Sequence, residues 1–252
     1  MSNTSFLFLD FDGVLCDSVA ECYASSWIGY YEHRGGRPDA VPIAEKEQFY
    51  RIRPYIRDAE DYLVLHYAVE HGIALEKQED FDSLASGFGE ETLQQFHRQF
   101  FVGRNELYEQ YREYWLSLHP VFPAIRPFLE RFAGSDRVHI LSTKASNYVS
   151  IILDSYNLDW PADKIHYSKG REKLSLLSSF LDSTEAESGG GASAYFIEDQ
   201  IDNVVRNTDP RITPRLASWG YLRDDWRVQT SVPLISGAEF TKIAEAVLGA
   251  GS

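Results

Sequence analysis

Residues 6–15, Phe-Leu-Phe-Leu-Asp-Phe-Asp-Gly-Val-Leu, constrain this chain more than any other stretch. The four apolar residues Phe6–Leu9 suit a strand buried on both faces of a parallel sheet. The run stops at Asp10, and Asp12 and Gly13 follow. A strand ending there and turning at Gly13 exposes both acids at the C-terminal edge of the sheet, where open α/β sheets bind ligands. Carboxylates this close repel each other. A bound cation, a proton held on one acid, or full solvation can relieve them. With a hard divalent ion, Asp10 can be both ligand and nucleophile while Asp12 carries a proton. An ordinary strand followed by an Asp-Gly turn accounts for the same residues.

The 252 residues form either one large domain or two smaller ones. A formal net charge of −14 argues against nucleic acid as a partner, because that binding rests on neutralising phosphates with Lys and Arg. It leaves room for a small phosphate ester in a locally positive pocket. No apolar run approaches the roughly 20 residues that span a bilayer, so no membrane partner is expected. The first residues lack the basic region of a signal peptide. Cys16 and Cys22 supply neither a disulfide framework nor a zinc site, and a reduced, cytoplasmic setting is expected.

Ser18-Val19-Ala20-Glu21 has the capping-box pattern and predicts a helix start. Little in residues 18–119 reads as buried strand. A helix is predicted from Asp58 to Gly72, and a longer one from about Glu90 to Leu118 with a break possible at Gly103. Beyond Pro123 strands and helices alternate. Strands are expected at 138–141, 164–167, 194–197 and 215–219, with helices at 124–132, 145–156, 172–181 and 237–248. Ser188–Ser193 reads as a flexible Gly-rich surface loop. The alternation implies an α/β fold, a Rossmann-like, doubly wound parallel sheet. Residues 1–17 and 120–252 would form the core. Residues 18–119 would be an inserted all-helical cap beside the sheet edge.

Polar groups fall at three strand ends in this scheme: Asp10 and Asp12, Ser142 and Thr143, Glu198 and Asp199. A lysine, Lys173 or Lys169, precedes the third. Taken singly, each has a bland explanation: a helix cap for Ser142, a solvated charge for the lysine, turn chemistry for the acid pair. In order, each except the lysine behind an apolar run, they point to one shared site at the sheet edge.

These motifs resemble the haloacid dehalogenase-like superfamily of aspartyl-phosphate enzymes. Asp10-Phe11-Asp12-Gly13-Val14 resembles its DxDG(V/T) motif, and Ile140-Leu141-Ser142-Thr143-Lys144 its strand ending in Ser or Thr. Lys173, or less closely Lys169, matches its lysine, and Phe196-Ile197-Glu198-Asp199 its acidic motif. The resemblance spans the chain. It implies a phosphatase in which Asp10 attacks phosphorus and Asp12 serves as acid and then base. Mg²⁺ would sit among Asp10, the Asp12 carbonyl and Asp199, with Glu198 as a further ligand or as an acid behind the ligands. Gly13, Ser142, Thr143 and Lys144 would line the phosphate site, and Lys173 would offset its negative charge. An acid at position 12 favours phosphomonoester hydrolysis or phosphomutation over dehalogenation, since a halide leaves without a proton.

Arg53 and Arg57 lie in the most basic local run, and an Arg fork there could grip a substrate carboxylate or second phosphate. Solvated charges on a helix and its following turn are the simpler explanation of the pair. The expected activity is Mg²⁺-dependent hydrolysis of a small phosphorylated metabolite by a monomer or homodimer. A phosphomutase and a silent binding protein on the same fold are the alternatives.

Overall fold

In a computed structural model, residues 3–36, 43–228 and 230–249 are described. β1 (Asn3–Leu9) is the centre of the molecule's one six-stranded sheet among these residues. Phe6–Leu9 are all buried, as expected of a strand covered on both faces. The chain then runs α1 (Val19–His33), α2 (Ile43–Ile52), α3 (Ala59–Glu70), α4 (Gln78–Ser86), α5 (Glu90–Gln110) and α6 (Arg112–Ser117). After α7 (Arg126–Phe132) come β2 (Val138–Ser142), α8 (Ser146–Ser155), β3 (Ile165–Tyr167), α9 (Lys173–Ser188) and β4 (Gly191–Glu198). β5 (Ile212–Ala217), α10 (Asp224–Val228), β6 (Leu234–Ile235) and α11 (Gly237–Leu248) complete it.

The strand order is β3-β2-β1-β4-β5-β6, with every pairing parallel. This is an α/β, Rossmann-like doubly wound sheet. Connections from β1 lead to β2 on one side, while β4 lies on the other. The order therefore reverses between β1 and β4, and that switch point is where such sheets open a ligand crevice. Leu9 pairs with both Ile140 and Ile197, which brings the ends of β1, β2 and β4 level.

The chain divides into two compact units, residues 1–17 with 120–252 and residues 18–119. In the first, Phe6, Phe8, Phe196, Leu177, Leu181 and Trp226 belong to the core on one face of the sheet. In the second, α1 and α5 cross at closest approach through glycine. A Cβ on Gly29 would lie 2.1 Å from the Gln99 carbonyl oxygen, and one on Gly103 would lie 2.0 Å from that of Ser25. Gly103 therefore does not interrupt α5; it lets the helix continue against its neighbour. The break comes at Tyr111, between α5 and α6.

Two other local expectations are corrected. Ser18 precedes α1 but makes no side-chain cap. Glu21 is fully buried and accepts from Arg104 Nε and Nη2 at 2.8 and 2.9 Å and from Ser25 Oγ at 2.6 Å. A charged fork outcompetes a neutral backbone amide for that carboxylate. The Gly-rich stretch is not a loop throughout. Gly189 ends α9 at φ +65°, and Gly191–Ser193 are already strand, paired with Asn3–Ser5. Poor strand propensity yields here to in-register neighbours.

Candidate active site

The three strand ends expected to converge do so. The Asp10 amide donates to Ile197 O at 2.9 Å, extending the β1–β4 ladder by one bond and setting Asp10 beside Glu198. Carboxylate oxygens of Asp10, Glu198 and Asp199 all lie within 4.8 Å of one another, and all three residues are buried. Lys173, the first residue of α9, reaches into this cluster. Its Nζ is 2.9 Å from Asp10 Oδ1 and donates to Glu198 Oε2 at 2.8 Å. Lys169, the alternative, is exposed and adopts φ +51° in the turn before α9. Of the two lysines, only Lys173 is brought to the carboxylates.

Glu198 is saturated. Besides Lys173, it accepts from Asn203 Nδ2 at 3.1 Å and from the amides of Asp199 and Gln200 at 3.0 and 3.1 Å. Such a set holds Lys173 in place and leaves Asp10 and Asp199 better disposed to take a cation. Asn203 carried no signal in the sequence beyond following the acid pair.

Asp199 is held by two glycines. A Cβ on Gly13 would fall 2.1 Å from Asp199 Oδ2, and Gly13 has φ +87°. A Cβ on Gly220 would fall 2.5 Å from Asp199 Cβ. Gly13, expected to border the phosphate, thus also makes room for Asp199. The Tyr221 amide donates to Asp199 Oδ2 at 3.0 Å, and Tyr221 Oη donates to Asp17 at 2.7 Å. Trp219 Nε1 donates to Val14 O at 3.0 Å. The Trp-Gly-Tyr stretch after β5 is therefore a brace for the loop carrying Asp12 and Gly13.

Asp12 is half-buried, and Lys144 Nζ stands 3.3 Å from its Oδ1. Ser142 is buried, and its Oγ accepts the Lys144 amide at 3.1 Å, while Thr143 is exposed. Arg53 and Arg57 belong to the other unit. Arg53 lies over the Tyr62 ring and donates to Ile56 O, and Arg57 pairs with Asp82 at 2.7 Å.

Burial pushes the Asp10 carboxyl up to about 7, and the Glu198 charge adds to it, against the pull of Lys173. Burial likewise raises Glu198, with Lys173 opposing. Burial works against the Lys173 charge, but Asp10 and Glu198 outweigh it and hold its pKa above the ordinary lysine value. Four carboxylates (Asp10, Asp12, Glu198, Asp199) face two ammonium groups (Lys144, Lys173). Fully ionised, the set carries an excess of two negative charges, and its all-oxygen donors suit a hard divalent cation.

No family model matches the chain, and no curated protein matches it in sequence. Solved structures do match in fold. A predicted phosphatase from Clostridium acetobutylicum superposes with a TM-score of 0.58 at 15% identity, covering 97% of this chain and 100% of its own. A haloacid dehalogenase-like family hydrolase from Streptococcus pneumoniae gives 0.55 at 17% identity, with 96% and 98% covered. The fold is that of the haloacid dehalogenase-like hydrolases. Protein tyrosine kinase A of Mycobacterium tuberculosis also superposes, with a TM-score of 0.52 at 15% identity and 96% of both chains covered. Likeness at these identities is one of architecture, and the chemistry rests on the side chains.

Proposed function

We propose that the chain is a Mg²⁺-dependent phosphomonoester hydrolase that works through an aspartyl-phosphate on Asp10. The observation that carries this reading is the buried cluster at the switch point: Asp10 and Asp199 side by side, with Lys173 bridging Asp10 and Glu198. Asp10 and Asp199 would hold the metal ion, with Glu198 behind them. When bound, the ion would supply positive charge to the phosphoryl oxygens and relieve the crowded carboxylates.

The protein's own residues divide the remaining work. An Asp10 oxygen attacks phosphorus in line as the ester P–O bond breaks, and Asp12 gives its proton to the departing alcohol oxygen. Water then attacks the aspartyl-phosphate. The P–O bond to Asp10 breaks, the electron pair returns to its carboxylate, and Asp12 takes the proton from water. The Ser142 hydroxyl and the Thr143 amide are suited to receive phosphoryl oxygens, and Lys173 keeps Asp10 paired with a cation. The helical unit would serve as the cap that selects among small phosphorylated substrates. A cytoplasmic setting fits the buried Cys16 and Cys22, which form no disulfide. Among the described residues, no helix is long and apolar enough to cross a membrane.

The test is hydrolysis of p-nitrophenyl phosphate with and without Mg²⁺, beside the Asp10→Asn variant. Mg²⁺-dependent turnover abolished by Asp10→Asn supports the mechanism. Turnover that survives the substitution sinks it.

A further inference from the structure

We propose that Lys144 is a positioning residue for Asp12, holding its carboxylate in place for the half-reaction in which the aspartyl-phosphate is hydrolysed. This rests on the phosphatase reading above and assigns Lys144 a role other than gripping substrate.

β2 ends at Ser142, and the turn that follows sends Thr143 outward and Lys144 inward. Ser142 Oγ pins the Lys144 amide at 3.1 Å, and the Lys144 side chain is only 1% exposed. An ammonium so deeply buried is costly to desolvate unless an anion stands opposite it. That anion is Asp12, 3.3 Å away, whose own side chain is still 18% exposed. Lys173 serves Asp10 and Glu198, and Lys144 serves Asp12.

The two half-reactions ask different things of Asp12. In the first, it begins as a neutral acid and gives its proton to the leaving alcohol. In the second, it begins as a carboxylate and must point one oxygen at the attacking water. An ammonium beside Oδ1 fixes the direction of the carboxylate, and its hold on the neutral acid is weaker. As water attacks phosphorus, the P–O bond to Asp10 breaks, the water proton passes to Asp12, and inorganic phosphate leaves. Lys144 keeps its proton throughout. Its contribution therefore falls on breakdown of the intermediate rather than on its formation.

The kinetic constants separate these stages, because kcat/KM ends at formation of the phosphoenzyme while kcat includes its hydrolysis. With p-nitrophenyl phosphate and Mg²⁺, Lys144→Met should lower kcat by about tenfold or more, a part of what a general base supplies. It should change kcat/KM by less than about threefold. The acid-quenched phosphoenzyme should rise in the steady state, and Lys144→Arg should keep the wild-type ratio of kcat to kcat/KM. In an Asp12→Asn background, Lys144→Met should lower kcat no further. Equal falls in kcat and kcat/KM per folded molecule, with no rise in phosphoenzyme, would overturn the inference. A raised KM with kcat unchanged would overturn it too, and would make Lys144 a substrate ligand. Wild-type protein without Asp10-dependent turnover removes the phosphatase reading and this role together. That failure is recognised because it appears in the unsubstituted chain.

Discussion

Lys173 shows how much one residue is asked to do here. It is buried, yet its ammonium is the shared partner of Asp10 and Glu198, so removing it leaves two buried carboxylates facing each other. Breaking a buried pair from one side costs about 3–5 kcal/mol. In Lys173→Met the two acids can escape only by holding protons, which raises their folded-state pKa further. A raised folded pKa on an acid means stability is lost as pH rises through it, because the unfolded state is already ionised. The loss in Lys173→Met should therefore be larger at pH 8 than at pH 6 in metal-free urea denaturation. A pH-independent loss would show that the pair does not carry it. Gly220 makes a second case. Its Cβ would strike Asp199, so Gly220→Ala should abolish the Mg²⁺-induced rise in melting temperature, as Asp199→Asn should. The acids were legible in sequence because each pair sits where an apolar run stops, and Lys173 is favoured over Lys169 because it opens the apolar pattern Leu174, Leu177 and Leu181. Gly220 and Asn203 were not, since their roles come from what packs against them.

Helices and strands show a different balance between local signal and context. The apolar runs of β1, β2 and β4 announce buried strands, and α11, expected over 237–248, forms there behind a Ser236–Glu239 capping box. The start of α1 reads the same way, yet its Glu21 is claimed by Arg104, some 83 residues along the chain. Nothing local in sequence carries that. Gly103 reads as a break and is a contact. Alanine inside a helix ordinarily stabilises by about 0.5–1 kcal/mol relative to glycine. Here the added Cβ meets a carbonyl, so Gly103→Ala should instead lower stability by about 2–3 kcal/mol, the cost of overpacking. A stabilised variant would show that α1 and α5 do not cross so closely. On the sheet, His139 of β2 stacks on Phe8 at 4.8 Å, and its Nδ1 lies 2.9 Å from Nε2 of His166 in β3. Burial, then His166 and Lys164, lowers its pKa to about 4. Above pH 6.5 both states are neutral. As pH falls from 6.5 toward 4 the unfolded chain takes up the proton first, and stability drops by up to about 3 kcal/mol. His139→Phe should remove that part of the acid sensitivity, measured as the difference in urea midpoints between pH 7 and pH 4.5.

At the scale of the whole molecule, the residues of the proposed site are confined to one unit. Asp10, Asp12, Ser142, Lys144, Lys173, Glu198 and Asp199 all belong to residues 1–17 and 120–252. The chain leaves that unit after Asp17 and returns at Pro120, and these two ends are adjacent: the Asp17 amide donates to Pro120 O at 2.8 Å. Phe122 donates to Leu15 O at 3.0 Å, so the outgoing and returning segments already form a short antiparallel ribbon. Such a ribbon can be closed by a two-residue Asn-Gly turn. Replacing residues 18–119 with that turn should therefore give a chain that melts cooperatively, because the six-stranded sheet and its covering helices α7–α11 are kept whole. The site geometry depends on strand ends, the α9 start and the Trp219–Tyr221 brace, all retained. The shortened protein should accordingly bind Mg²⁺ within about tenfold of the full chain, since each ligand keeps its support. Its discrimination between phosphate esters should collapse, because the residues that would choose among them have been removed. A shortened chain that folds but no longer responds to Mg²⁺ would mean the helical unit helps to build the metal site. One that stays selective would mean specificity is written on the core.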